Sequence, residues 1–123
     1  MSMMHYLYDA ERGRLRRKHR RPVLLVRAGN AYMALFPSGD RDAVAVASLM
    51  GVPLRAFNGR VAVLVGADKI DTYLARLVRG GRTVALAERV VNHVTGQLDG
   101  LSVNGVFEPA TTKKVTTKKG KLK

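Results

Sequence analysis

The sequence predicts an α/β domain, a mixed central sheet flanked by helices, and three observations carry that expectation. Apolar, strand-like runs are joined by the glycine turns Gly29-Asn30 and Asn58-Gly59. Segments with the 3.6-residue spacing of amphipathic helices stand before, between and after those runs. The clearest of these helices is followed, after a Gly80-Gly81 stop, by the apolar run of residues 83 to 87, which is the helix-then-strand order of layered α/β folds. A chain of 123 residues suits a single hydrophobic core.

Taken in order, residues 3 to 18 have a helical pattern, with Met4, Tyr8, Glu11 and Leu15 on one face. Arginines crowd the last turns, where cations complement the helix dipole. Pro22 ends this segment, because the residue before a proline is pushed out of the helical region. Residues 23 to 28 and 31 to 36 then form a hairpin around Gly29-Asn30. The turn Pro37-Ser38-Gly39-Asp40 leads into a second helix, with Asp40 as N-cap and Ala43, Val46, Ala47 and Met50 as its buried stripe, stopped by Gly51. Residues 52 to 57 and 61 to 65 make a second hairpin around Asn58-Gly59, the strongest short-range hairpin signal in the chain.

Asp68 is expected to start the third helix, with Asp71 completing a carboxylate version of the capping box. Ile70, Tyr73, Leu74, Leu77 and Val78 form its apolar face, and Arg76, Arg79 and Arg82 lie along or just beyond its wet side. Residues 83 to 87 read as a buried strand, residues 90 to 94 as another strand or a short helix, and residues 102 to 107 as a short hairpin around Asn104-Gly105. The expected organisation is a basic helix over residues 1–21 packed on an α/β core over residues 22–108. A Lys-rich tail over residues 109–123 follows, too polar to pack and expected to be disordered.

Charge is concentrated at the two ends. The chain carries a formal +13: residues 1–21 contribute +5, residues 22–110 only +2, and residues 111–123 the remaining +6. The first cluster is Arg12, Arg14, Arg16, Arg17, Lys18, Arg20 and Arg21, and the last includes Lys113, Lys114, Lys118 and Lys119. Clustered cations favour polyanions because each neutralised phosphate releases condensed counterions, so nucleic acid is the default partner. Solubility alone is the plainer explanation of such ends.

Cysteine is absent and the histidines, at 5, 19 and 93, are scattered, which leaves no disulfide, no thiolate zinc site and no expected metal or cofactor. No apolar run approaches the roughly 18 residues that span a bilayer, and no secretory signal is recognisable. A cytoplasmic protein without membrane or small-molecule partners is expected. Asp40 and Asp42 sit at a helix start, where capping is the ordinary explanation. One isolated carboxylate, Glu88, does not make a nuclease, and no nucleophile with a base is evident. The expectation is a non-enzymatic protein.

Residues 29 to 36, GNAYMALF, and the run KIDTYLARLVRGGRTVALAERV carry a family resemblance. Tyr73-Leu74, Ala75 to Val78, Gly81, Val84-Ala85 and Glu88 resemble the stretch NYLAKLVNQGYSVAICEQ of the MutS DNA mismatch-repair proteins. Met3-Met4 followed by Tyr6-Leu7 is similar to that family's opening MMxxYL. The likeness covers residues 3 to 95 and implies the N-terminal mismatch-recognition domain, domain I, with an ancestry in duplex-DNA recognition.

In that family the hairpin carries GDFYE, whose phenylalanine wedges into the base stack and whose glutamate contacts the extruded base. Here Gly29 and Tyr32 match, while Asn30, Ala31 and Met33 replace the aspartate, phenylalanine and glutamate. An alanine methyl is too small to offset the unstacking of a base step. Met33 remains as a substitute wedge, or its face packs against protein. The resemblance therefore implies duplex DNA in preference to RNA, held by the arginines and the tail lysines, with Asn30, Tyr32 and Met33 left for any base contact. A module that binds a partner protein is the alternative. The family's ATPase loop, GxxxxGK[ST], has no match in the chain, so ATP-driven repair by this chain alone is not expected.

Overall fold

The computed structural model describes residues 3–109. Helix α1 (Met3–Arg16) buries Tyr8 and Leu15 on its apolar face, with Met4 partly covered beside them. Strands β1 (Val23–Ala28) and β2 (Ala31–Phe36) form the first hairpin. Gly29 turns it in the left-handed region at φ 61°, a conformation open to glycine at no steric cost.

Helix α2 (Arg41–Met50) begins at Asp40, whose side chain accepts from the Asp42 amide, and ends at Gly51 in the left-handed conformation. Its buried residues are Ala43, Val46, Ala47 and Met50, the stripe expected from spacing. Strand β3 (Arg55–Phe57) is short and pairs with β4 (Arg60–Gly66) across Asn58 and Gly59. Both turn residues have positive φ, as the twist of a two-residue hairpin requires.

Helix α3 (Ile70–Arg79) departs from expectation at its start. A single 3-10 turn, Ala67–Lys69, precedes it, and no side chain caps either segment. Asp68 therefore lies inside the turn and is not an N-cap. Beyond Gly80 and Gly81, β5 (Val84–Val91) and β6 (Leu98–Phe107) form one long hairpin. Residues 90 and 91 belong to β5 and not to a further element. Asn104-Gly105 is not a turn: the register slips there, with Leu86 opposite Gly105 and Ala87 opposite Val103. This is a β-bulge, the other common use of a glycine within a strand. The actual turn is set by Asn92, whose Oδ1 accepts from the amides of Val94 and Thr95.

The six strands lie in the order β3-β4-β2-β1-β5-β6. The β1 and β5 strands are parallel and the other neighbours antiparallel. This is the mixed α/β architecture expected. Strand alternation divides the core. Val23, Leu25, Tyr32, Ala34, Phe36 and Val63 face α2 and α3, while Leu24, Val26, Met33, Leu35, Ala85 and Ala87 face α1. The Tyr8 hydroxyl crosses to donate to the Leu24 carbonyl, and Asp9 accepts two hydrogen bonds from Arg60, at 2.9 and 2.7 Å. Together these fix α1 across the sheet.

The sheet thus has two ends with different inhabitants. The start of β1 meets the start of β5 and the end of β6, since Val23 lies opposite Val84 and Val84 opposite Phe107. The end of β1 carries the β1–β2 turn, joined by the end of β4 through the Ala31–Gly66 pair and by the far part of the β5–β6 hairpin. Six residues of β1 separate these poles by about 17 Å at roughly 3.3 Å per residue.

Candidate nucleic-acid interface

The loop between α1 and β1 is held at four points. The Lys18 and His19 amides donate to the Leu15 carbonyl at 3.1 and 2.8 Å, continuing the last helical turn. His19 Nδ1 lies 3.2 Å from Glu108 Oε2, which links the loop to the end of β6. Arg82 Nε donates to the Arg21 carbonyl at 2.9 Å, and Arg21 takes φ 51°. Pro22 is buried. From this frame Arg16, Arg17, Lys18, Arg20 and Arg21 are exposed. Among the described residues none of the five pairs with a carboxylate. Arg14 is exposed but bound to Glu11 at 3.1 Å. Arg41, the first residue of α2, adds another exposed cation.

Arg12 does not belong to this surface. It is 6 % exposed, stacked over the Phe36 ring at 5.2 Å, with Asp40 at 3.6 Å. Its position one helical turn after Tyr8 carries it into the core-facing side of α1. Charge alone grouped it with its neighbours in the sequence, and burial separates it from them.

Arg82, expected on a wet helix side, is fully buried. Its Nη2 donates to Asp42 Oδ2 at 2.7 Å while Nε holds Arg21. Two guanidinium groups thus occupy the carboxylates at the start of α2, so those carboxylates do not neutralise the exposed arginines. The only sequence signal for Arg82 was its place between a glycine stop and a buried strand.

At the other pole the hairpin residues are mostly spoken for. Met33 is 5 % exposed and packs in the core beneath α1, so it cannot serve as a wedge. The cluster that encloses it includes Tyr8 and Leu15 of α1, so this packing is within the chain and is not the partner contact that the alternative expectation named. Tyr32 is also buried, with the Arg27 guanidinium over its ring at 5.9 Å. Asn30 is exposed at the tip, its carbonyl accepting from the Ala67 amide.

Two shallow clefts of about 340 and 510 Å³ flank Arg27 at this pole, and each includes a carboxylate, Glu88 in one and Asp68 in the other. In the segments that meet here Arg27, Lys69 and Arg89 are accompanied by Asp68, Asp71, Glu88 and Asp99, so the formal charges nearly cancel, and none of the three cations forms an ion pair among the described residues. The structure therefore does not bring the predicted residues together: the arginine loop and the hairpin tip stand at opposite ends of the sheet. Lys113, Lys114, Lys118 and Lys119, with the disorder expected for their segment, lie outside the described residues.

The fold and its charged loop define a mixed α/β domain with one strongly basic pole. Among the described residues no helix is long and apolar enough to cross a membrane, and no cluster of three or more histidines and carboxylates could hold a metal ion. No family model matches the chain. Over 97 residues the chain is 34% identical to the DNA mismatch repair protein MutS of Treponema pallidum, in strain Nichols and equally in a second strain, of subspecies pallidum. The match covers 79% of this chain and 10% of each relative, so the chain spans about a tenth of the length of the curated relatives it matches. The chain carries a MutS-related region.

Proposed function

We propose that this chain is a non-enzymatic module, similar to MutS domain I, that holds duplex DNA by its phosphates and does not read mismatches. The observation that carries this proposal is the joining of a MutS-related region to five exposed cations of the α1–β1 loop that lack carboxylate partners among the described residues. Phosphate contacts position a protein on nucleic acid while base contacts specify the site. The first kind is abundant at this loop and the second is not supplied. Ala31 and Met33 stand where the family's hairpin has its phenylalanine and glutamate, and Met33 is enclosed in the core. A protein partner docked on the Met33 face is disfavoured, since α1 already covers it.

Binding to matched duplex, mismatched duplex and single-stranded RNA, each titrated with salt, tests this. Expected are equal affinities for the two duplexes, weaker binding to the RNA, and a steep fall with salt. Absence of binding to every probe at low salt would remove the proposal, and a marked mismatch preference would restore a reading hairpin.

A further inference from the structure

We infer that duplex nucleic acid docks on the pole opposite the β1–β2 turn, so that the hairpin aligned with the family's reading motif points away from the bound ligand. This rests on the proposed duplex binding and assigns its surface and orientation. The end of α1 at Arg16 and the loop after it lead into β1 at that pole, and Arg41 starts α2 from the turn that follows β2. The cleft of about 310 Å³ lined by Lys18, Arg20, Thr83 and Glu108 also includes Pro109, the last described residue.

The opposite pole cannot share that field. About 17 Å of strand separates the two, more than the roughly 8 Å over which charges are felt at physiological salt. The formal charges of the turn pole nearly cancel, and two of its carboxylates, Glu88 and Asp68, line its clefts. Arg27 there is further engaged, with its Nε donating to the Gly29 carbonyl at 3.1 Å and its guanidinium over Tyr32. Anchorage of the basic loop at Leu15, Glu108 and Arg82 presents its cations in one arrangement, which lowers the ordering cost of binding.

The chain has no cysteine, so single-cysteine variants report cleanly. Ser38→Cys places a photo-crosslinker in the exposed turn before α2. Val94→Cys places one at the β5–β6 turn, where the side chain is 94% exposed. With the full chain and a short matched duplex, the Ser38→Cys conjugate is expected to crosslink at least tenfold more strongly than the Val94→Cys conjugate. Equal yields, or a higher yield from position 94, would overturn the orientation while leaving duplex binding intact. Loss of binding by the unlabelled chain would instead remove the reading on which the orientation depends, and the orientation with it.

Discussion

The two ends of the sheet differ in what they expose. At the β1–β2 turn, the resemblance implies base contacts, yet Tyr32 and Met33 are enclosed and the surrounding charges offset one another. At the α1–β1 loop, five exposed cations are held on a frame of backbone hydrogen bonds and a buried guanidinium. The hairpin's own strands are the middle of the sheet. β1 and β2 contribute residues to both cores, whereas Ala31 belongs to neither.

The contrast between the poles depends most heavily on Arg82. Replacing it by alanine removes the closer of the two buried guanidinium groups beside Asp42, leaving Arg12 at 4.0 Å, and frees the Arg21 carbonyl. The expected loss is about 3 kcal/mol, at the lower end for a broken buried pair because Asp42 is partly exposed. Chemical denaturation would measure it, with Arg89→Ala at the turn pole as a control expected to change stability by less than about 0.5 kcal/mol. Similar values for both would mean that the frame of the arginine loop is not what holds that pole.

Met33→Ala addresses the hairpin itself. Truncating a buried methionine should cost about 2 kcal/mol or more through lost burial and the cavity left behind. The ratio of affinities for mismatched and matched duplex should not move. A stable variant with an altered ratio would place Met33 on the ligand after all.

A smaller effect tests the helix that crosses the sheet. Burial pushes the Tyr8 phenol well above its ordinary range, so the folded state keeps the proton that the unfolded chain releases near pH 10. Stability from this group is full below about pH 10 and is lost as the pH rises toward the folded value. Tyr8→Phe should lower stability at neutral pH by about 1 kcal/mol, for the lost hydrogen bond to Leu24. It should also make the alkaline decline shallower than in the parent, and parallel declines would show that Tyr8 is not the buried acid.

Much of this fold is legible in the sequence, for local reasons. The Gly29-Asn30 and Asn58-Gly59 turns, the stripe of α2 and its Asp40 and Gly51 caps are each specified within a few residues. Asn104-Gly105 misleads because the same pair serves a tight turn or a bulge, and only the partner strand decides which. The site was less legible. Period-2 alternation places Ala31, Met33 and Leu35 on one face, but that α1 covers this face is a tertiary fact. In the same way, a run of arginines does not reveal that Arg12 turns inward, or that distant Arg82 reaches back to hold the carbonyl of Arg21.

If affinity resides at the arginine pole and not at the turn, the salt dependence of duplex binding must follow the loop cations and not those of the turn. The decisive titration compares the parent with Arg16, Arg17, Arg20 and Arg21 all changed to glutamine and with Arg27, Lys69 and Arg89 all changed to glutamine. Each lost phosphate contact should reduce the slope of log affinity against log salt by about 0.9. The loop variant is predicted to flatten the slope by about 3, for most of its four cations in contact, and the turn variant to leave it unchanged. A flattened slope in the turn variant with an unchanged slope in the loop variant would contradict this assignment.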